Sequence, residues 1–78
     1  MPAHVLPAHE APNEGVRLLR IHGRRWKRAV MASKAGVPTA TISQWITGRR
    51  MPSVDARNML EETFGIPVSA WEKVRVQP

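Results

Sequence analysis

Only three residues, Gly36-Val37-Pro38, separate two stretches that both read as helix. Roughly Lys27 to Ala35 is the first, with Val30, Met31 and Ala35 turned inward, and Gly36 stands where a left-handed residue ends a helix. Pro38 has its φ preset for the first turn of the next helix, and Thr39 beside it offers an oxygen as a cap. That second helix is expected to reach about Thr47, to bury Ile42, Trp45 and Ile46, and to end at Gly48. Helices joined so tightly cross at close range, so the residue four before the turn glycine must be small, and it is Ala32. The residue after the glycine must be buried, and it is Val37; the apolar positions six and nine beyond the glycine are Ile42 and Trp45. A bulky residue at position 32, or a charged one at any of these places, would forbid the crossing.

The rest of the chain reads as helix as well. Residues 1–14, MPAHVLPAHEAPNE, hold three prolines and are read as a disordered arm. That arm has no Lys or Arg and is assigned no groove contact, and His4 and His9 lack a third metal ligand. From Gly15 a first helix carries Val16, Leu19 and either Leu18 or Ile21 inward, with Arg17, Arg20 and Arg24 on its other side and Gly23 near its end. Trp26 is read as a core anchor between this helix and the next. Ser53 caps a helix with Asp55 near its positive end, burying Val54, Met59, Leu60 and Phe64 and stopping at Gly65. Ser69-Ala70-Trp71-Glu72 reads as a capping box opening a short last helix. No segment alternates with a period of two. The expected class is all-α, a compact five-helix domain over residues 15–74, with residues 75–78 as a tail.

Charge is what narrows the function. The net charge is +6, and residues 15–50 hold nine basic side chains and no acidic one. Residues 51–78 hold three basic against four acidic, and the first fourteen add two acidic. A field carried by one part of a small domain suits a polyanion, nucleic acid first. The chain has no cysteine, which excludes disulfides and thiolate zinc sites, and no apolar run near the ~20 residues of a membrane span. A soluble protein of the cytoplasm, associated with the nucleoid, is the expectation. No nucleophile arrangement or phosphate loop is present, so no enzyme activity, cofactor or metal is expected.

Two helices about a glycine turn, the second followed by an arginine pair, form a helix-turn-helix. Residues 28–53, RAVMASKAGVPTATISQWITGRRMPS, resemble the Cro and lambda-repressor-like family, also called the Xre family. The likeness lies in the turn glycine, the I-S-x-W run, the second glycine and the closing P-S, and it extends over about residues 15–74 with the GIPVSAW ending. Arg28 stands where the family often has Gln, and Pro38 where it usually has Ser. The resemblance implies that helix 39–47 enters the major groove of double-stranded DNA. Thr39, Ala40, Ser43 and Gln44 are then the base contacts, Gln44 suited to adenine and the Ala40 methyl to thymine. Arg28, Lys34, Thr47, Arg49 and Arg50 are the phosphate contacts, with Arg24, Arg25 and Lys27 as further candidates.

The functional expectation is a sequence-specific transcriptional regulator, a repressor of phage, mobile-element or antitoxin type. It would act as a homodimer on a pseudo-palindromic operator. The dimer surface is expected in the last helix and tail (Val68, Val74, Val76) or around Met51. The alternative is a protein-interaction module, an antitoxin or antiactivator whose main partner is another protein.

Overall fold

The computed structural model describes residues 10–72, and what was expected of residues 1–9 and 73–78 (the two arm histidines, Val74, Val76 and the tail) lies outside them. Among the described residues there are four α-helices, α1 (Glu14–His22), α2 (Arg28–Ala35), α3 (Thr39–Thr47) and α4 (Val54–Phe64), followed by a 3-10 helix, Val68–Glu72. The fold is all-helical. The fifth helix of the sequence reading is the 3-10 turn, which begins one residue before Ser69, so Ser69 lies inside it rather than at its cap.

The start of α1 lies earlier than its apolar stripe suggests. Asn13 caps it, its side-chain oxygen accepting from the Val16 N–H at 2.8 Å, and Glu14 in the first turn pairs with Arg17. The cap brings the preceding residues into the fold. Ala11 is fully buried, Asn13 nearly so, and the Asn13 amide donates to the Met51 sulfur at 3.1 Å. The disordered arm expected over residues 1–14 is therefore corrected at its end, because Ala11 to Asn13 pack against the domain. Sequence carries a signal for this: an Asn immediately before a periodic apolar run is a helix-start mark.

One core joins the elements. Val16 and Leu19 from α1, Met31, Ala32 and Ala35 from α2, Ile42, Trp45 and Ile46 from α3, Leu60 from α4, and Ile66, Ala70 and Trp71 beyond it are all buried. Each large apolar side chain in this set contributes about 1.5–3 kcal/mol by leaving water. The Ser53 hydroxyl caps α4 by accepting from the Ala56 N–H at 3.2 Å, as its sequence implied. Two expectations are overturned: Val30 is 39% exposed and Val54 67% exposed. Val30 lies two positions from buried Ala32, a rotation that turns it to the opposite side of α2. Val54 is the first residue of α4, where the helix face has not yet met the core.

α1 touches the 3-10 helix so closely that only glycine fits at position 15. A Cβ placed there would stand 2.3 Å from Cδ2 of Trp71, inside the ring's van der Waals surface. Gly15→Ala should therefore destabilise the domain by about 1–3 kcal/mol, by overpacking alone. Thermal unfolding followed by circular dichroism measures this; an unchanged midpoint would mean that α1 and Trp71 do not meet as described.

Candidate nucleic-acid interface

The turn that presents α3 is closed by backbone bonds. Gly36 adopts φ 70° and ψ 30°, a left-handed conformation that costs a side-chain-bearing residue roughly 1 kcal/mol. This turns the chain so that the Val37 N–H reaches the Ala32 carbonyl at 3.1 Å and the Gly36 N–H the Ser33 carbonyl at 3.3 Å. Pro38 is the capping residue of α3, extended at φ −61°, and no side chain caps the helix. Thr39 is already the first helical residue, so the cap expected of it is not made.

α3 spans Thr39–Thr47 and sorts its residues by face. Ile42, Trp45 and Ile46 are buried. Thr39, Ala40 and Thr47 are exposed, while Ser43 and Gln44 are half-buried on the same outward side. Ser43, Gln44, Thr47 and Arg49 line one shallow, open depression. No charged residue lies between positions 39 and 47, although an exposed helix face of this length ordinarily carries several. Gly48, left-handed at φ 78°, ends the helix and folds the next two residues back on it. The amides of Arg49 and Arg50 both bond to the Gln44 carbonyl, at 3.0 and 3.3 Å, and hold the two exposed arginines at the foot of the outward face.

Two arginines brace this helix from the rest of the fold. Arg28, at the start of α2, donates from Nη1 to the Ser43 hydroxyl at 3.1 Å. Ser43 accepts that bond, so its own proton remains available to a second acceptor. Replacement of the family's glutamine thus keeps a link between α2 and the outward side of α3. The second brace is not visible in the sequence reading. Arg20, expected on the outer side of α1, is only 8% exposed, and its Nε donates to the Ile46 carbonyl at 2.8 Å. It lies four residues after Val16 and shares that residue's inward side, a spacing that could have signalled its burial. Ile46 belongs to the last turn of α3, whose carbonyls lack partners within the helix, and a cation is favoured there by the helix dipole. Burial lowers the pKa of Arg20 from its usual value and the charge of Glu10 works against that shift, yet a guanidinium keeps its proton at any physiological pH.

The remaining expected contacts are less uniformly placed. The Thr47 hydroxyl donates within its own helix, 2.9 Å from the Ser43 carbonyl and 3.2 Å from that of Gln44, so its proton is already engaged. Lys34 is exposed on α2, its ammonium 4.9 Å from the centre of the Trp26 ring. Trp26 itself is 41% exposed, which corrects its reading as a core anchor. Arg24, Arg25 and Lys27 are exposed around the connection from α1 to α2. Among the described residues no group of acidic or histidine side chains is arranged to hold a metal ion, and no helix is long and apolar enough to cross a membrane.

With the crossing, the turn and the outward face established, comparison with known proteins becomes informative. A family model described as helix-turn-helix matches residues 16–71, well over half of the chain. The chain belongs to the helix-turn-helix family, in its Cro and lambda-repressor-like form. No curated protein and no solved structure gave a match. The family is one of DNA-binding regulatory domains, not of catalysts, and the matched span runs from Val16 on α1 to Trp71 in the 3-10 helix. It therefore takes in Arg20, Arg28 and all of α3.

Arg20→Met tests the hidden brace. Removing the guanidinium leaves the buried Ile46 carbonyl without that donor, which should cost about 1–3 kcal/mol of unfolding free energy in urea titration. A variant as stable as the parent would show that Arg20 supports nothing.

Proposed function

We infer that the chain is a sequence-specific regulator of transcription that reads the major groove of double-stranded DNA with α3, acting as a repressor by occupying an operator. What carries the reading is the outward side of α3: small or uncharged polar side chains throughout, with Arg49 and Arg50 folded back at its end. Small side chains allow close approach to the bases. Gln44 offers both a donor and an acceptor, the pair that adenine N6 and N7 require. Thr39 and Ser43 hydrogen-bond base edges, and the Ala40 methyl packs against a thymine methyl. Arg28, Arg49 and Arg50 meet phosphates and set the register, and Lys34, Arg24, Arg25 and Lys27 add to the attraction without touching the duplex. One domain of this size makes a small interface, so two copies on a pseudo-palindromic site give the specificity that one cannot.

Selection of binding sequences from random duplexes defines the operator, and two variants then divide the labour. Gln44→Ala should lower affinity by about 1–3 kcal/mol through one base position per half-site, relaxing the preference there. Uniform weakening on every sequence would contradict a reading role. Replacing Arg49 and Arg50 by alanine should weaken specific and non-specific binding together and reduce the salt slope by roughly 0.9 for each phosphate no longer neutralised. A slope identical to the parent's would exclude both arginines from the interface.

A further inference from the structure

Three large apolar side chains are exposed among the described residues: Trp26 at 41%, Val30 at 39% and Val54 at 67%. They fall on two faces of opposite charge. Val30 and Lys34 stand four residues apart on the outer side of α2, away from buried Met31, Ala32 and Ala35, and Trp26, in the connection before α2, lies beneath the Lys34 ammonium. Arg24, Arg25 and Lys27 are exposed at the same end. Val54 opens α4, and the exposed positions that follow it on one side are Asp55, Asn58, Glu61 and Glu62, without a single cation. Arg57, the basic residue of α4, is half-buried and donates from Nε to the Pro52 carbonyl at 3.0 Å. α2 and α4 pack against each other, so one copy of the chain shows the cationic and the anionic face on adjoining helices.

We propose that these faces are the two halves of a self-association surface, and that the occupant of the α2 face is α4 of a second copy. Charge complementarity selects that occupant. The acidic residues that suit the cations around Trp26 belong to this same chain, together with a valine exposed among them. DNA held by α3 would leave the face open, because Val30 is rotated about 160° around α2 from Arg28, whose bond to Ser43 marks the reading side. A closed pair makes the contact twice and leaves neither face unpaired, whereas an open chain leaves one of each at its ends. Trp26, Val30 and Val54 supply the dry centre and the charged residues its rim, the usual arrangement of a small interface. Of the surfaces expected from sequence, Met51 is half-buried against the core and bonded to Asn13 and Val68 is half-buried, while Val74 and Val76 lie outside the described residues. This surface gives the homodimer of the functional reading a place, and because it is tested without DNA its failure leaves the DNA reading standing.

Sedimentation equilibrium of the full chain without DNA is the test. Concentration-dependent dimers are expected at low ionic strength, weakening as salt is added. Lys34→Glu and Glu62→Lys should each weaken association by about tenfold, and combining them should restore most of the loss. Tryptophan emission from the parent chain reports independently, since Trp45 and Trp71 are buried at 4% exposure and Trp26 alone of the three faces solvent; dimerisation should shift the emission to the blue. A chain that stays monomeric to about 1 mM overturns the proposal. So does association that both reversals leave unchanged, or a double variant no better than the single ones. An emission shift that appears on adding duplex DNA but not on self-association would assign the face to DNA and overturn it equally.

Discussion

The close crossing of α2 over α3 governs everything that α3 can present. Ala32 is 3% exposed at the crossing, and a larger side chain there would lift α3 away from α2. Gly36 makes the geometry possible by taking φ 70°, which brings the Val37 amide back to the Ala32 carbonyl five positions earlier. Ile42, Trp45 and Ile46 then have only one way to face the core, and the opposite side of the helix is set in consequence. The outward side chains of α3 are thus positioned by residues on its inner side and in the turn before it.

That division leaves α3 short of local support. TATISQWIT combines threonines and isoleucines with no charged pair, and a nine-residue helix of that composition is marginal in isolation. Burial of its inner side supplies most of what it lacks, and the braces supply the rest: Arg28 from α2 to Ser43, Arg20 from α1 to the Ile46 carbonyl, and the paired amides of Arg49 and Arg50 on Gln44. The segment before α1 joins the same end of the helix. Pro12 lies beside Gly48, where an added Cβ would meet its Cγ at 3.3 Å, and Asn13 holds Met51. A face free of charge is therefore stabilised from behind and at its exit, by groups that leave the face unobstructed.

How much of the fold and site is legible in sequence follows from how local each feature is. The turn, the limits of α3 and the Ser53 cap rest on residues within a few positions of one another, and sequence spacing resolves them. Trp26, Val30 and Val54 depart from expectation because large apolar residues are expected inside, while Trp26 lies in the connection between α1 and α2, Val30 is rotated away on α2 and Val54 stands at the first turn of α4. Arg20 departs from it because its partner is a backbone carbonyl twenty-six residues away, which no pattern of side chains announces. The last helix is a 3-10 turn because its Ser69 and Glu72 satisfy a capping pattern while the element itself is only five residues long. In the site, the residues of α3 lie on the side that spacing assigned them, whereas the Arg28 to Ser43 bond required coordinates.

Amide NMR titration with duplex DNA at low ionic strength tests the central claim most directly, because it reports where the nucleic acid lies without presupposing an operator. Shift changes are predicted to concentrate on Thr39 to Gln44, on Arg49 and Arg50, and at the start of α2, leaving the outer side of α4 untouched. Changes centred on α4, or an unaltered spectrum at saturating DNA, would contradict the account.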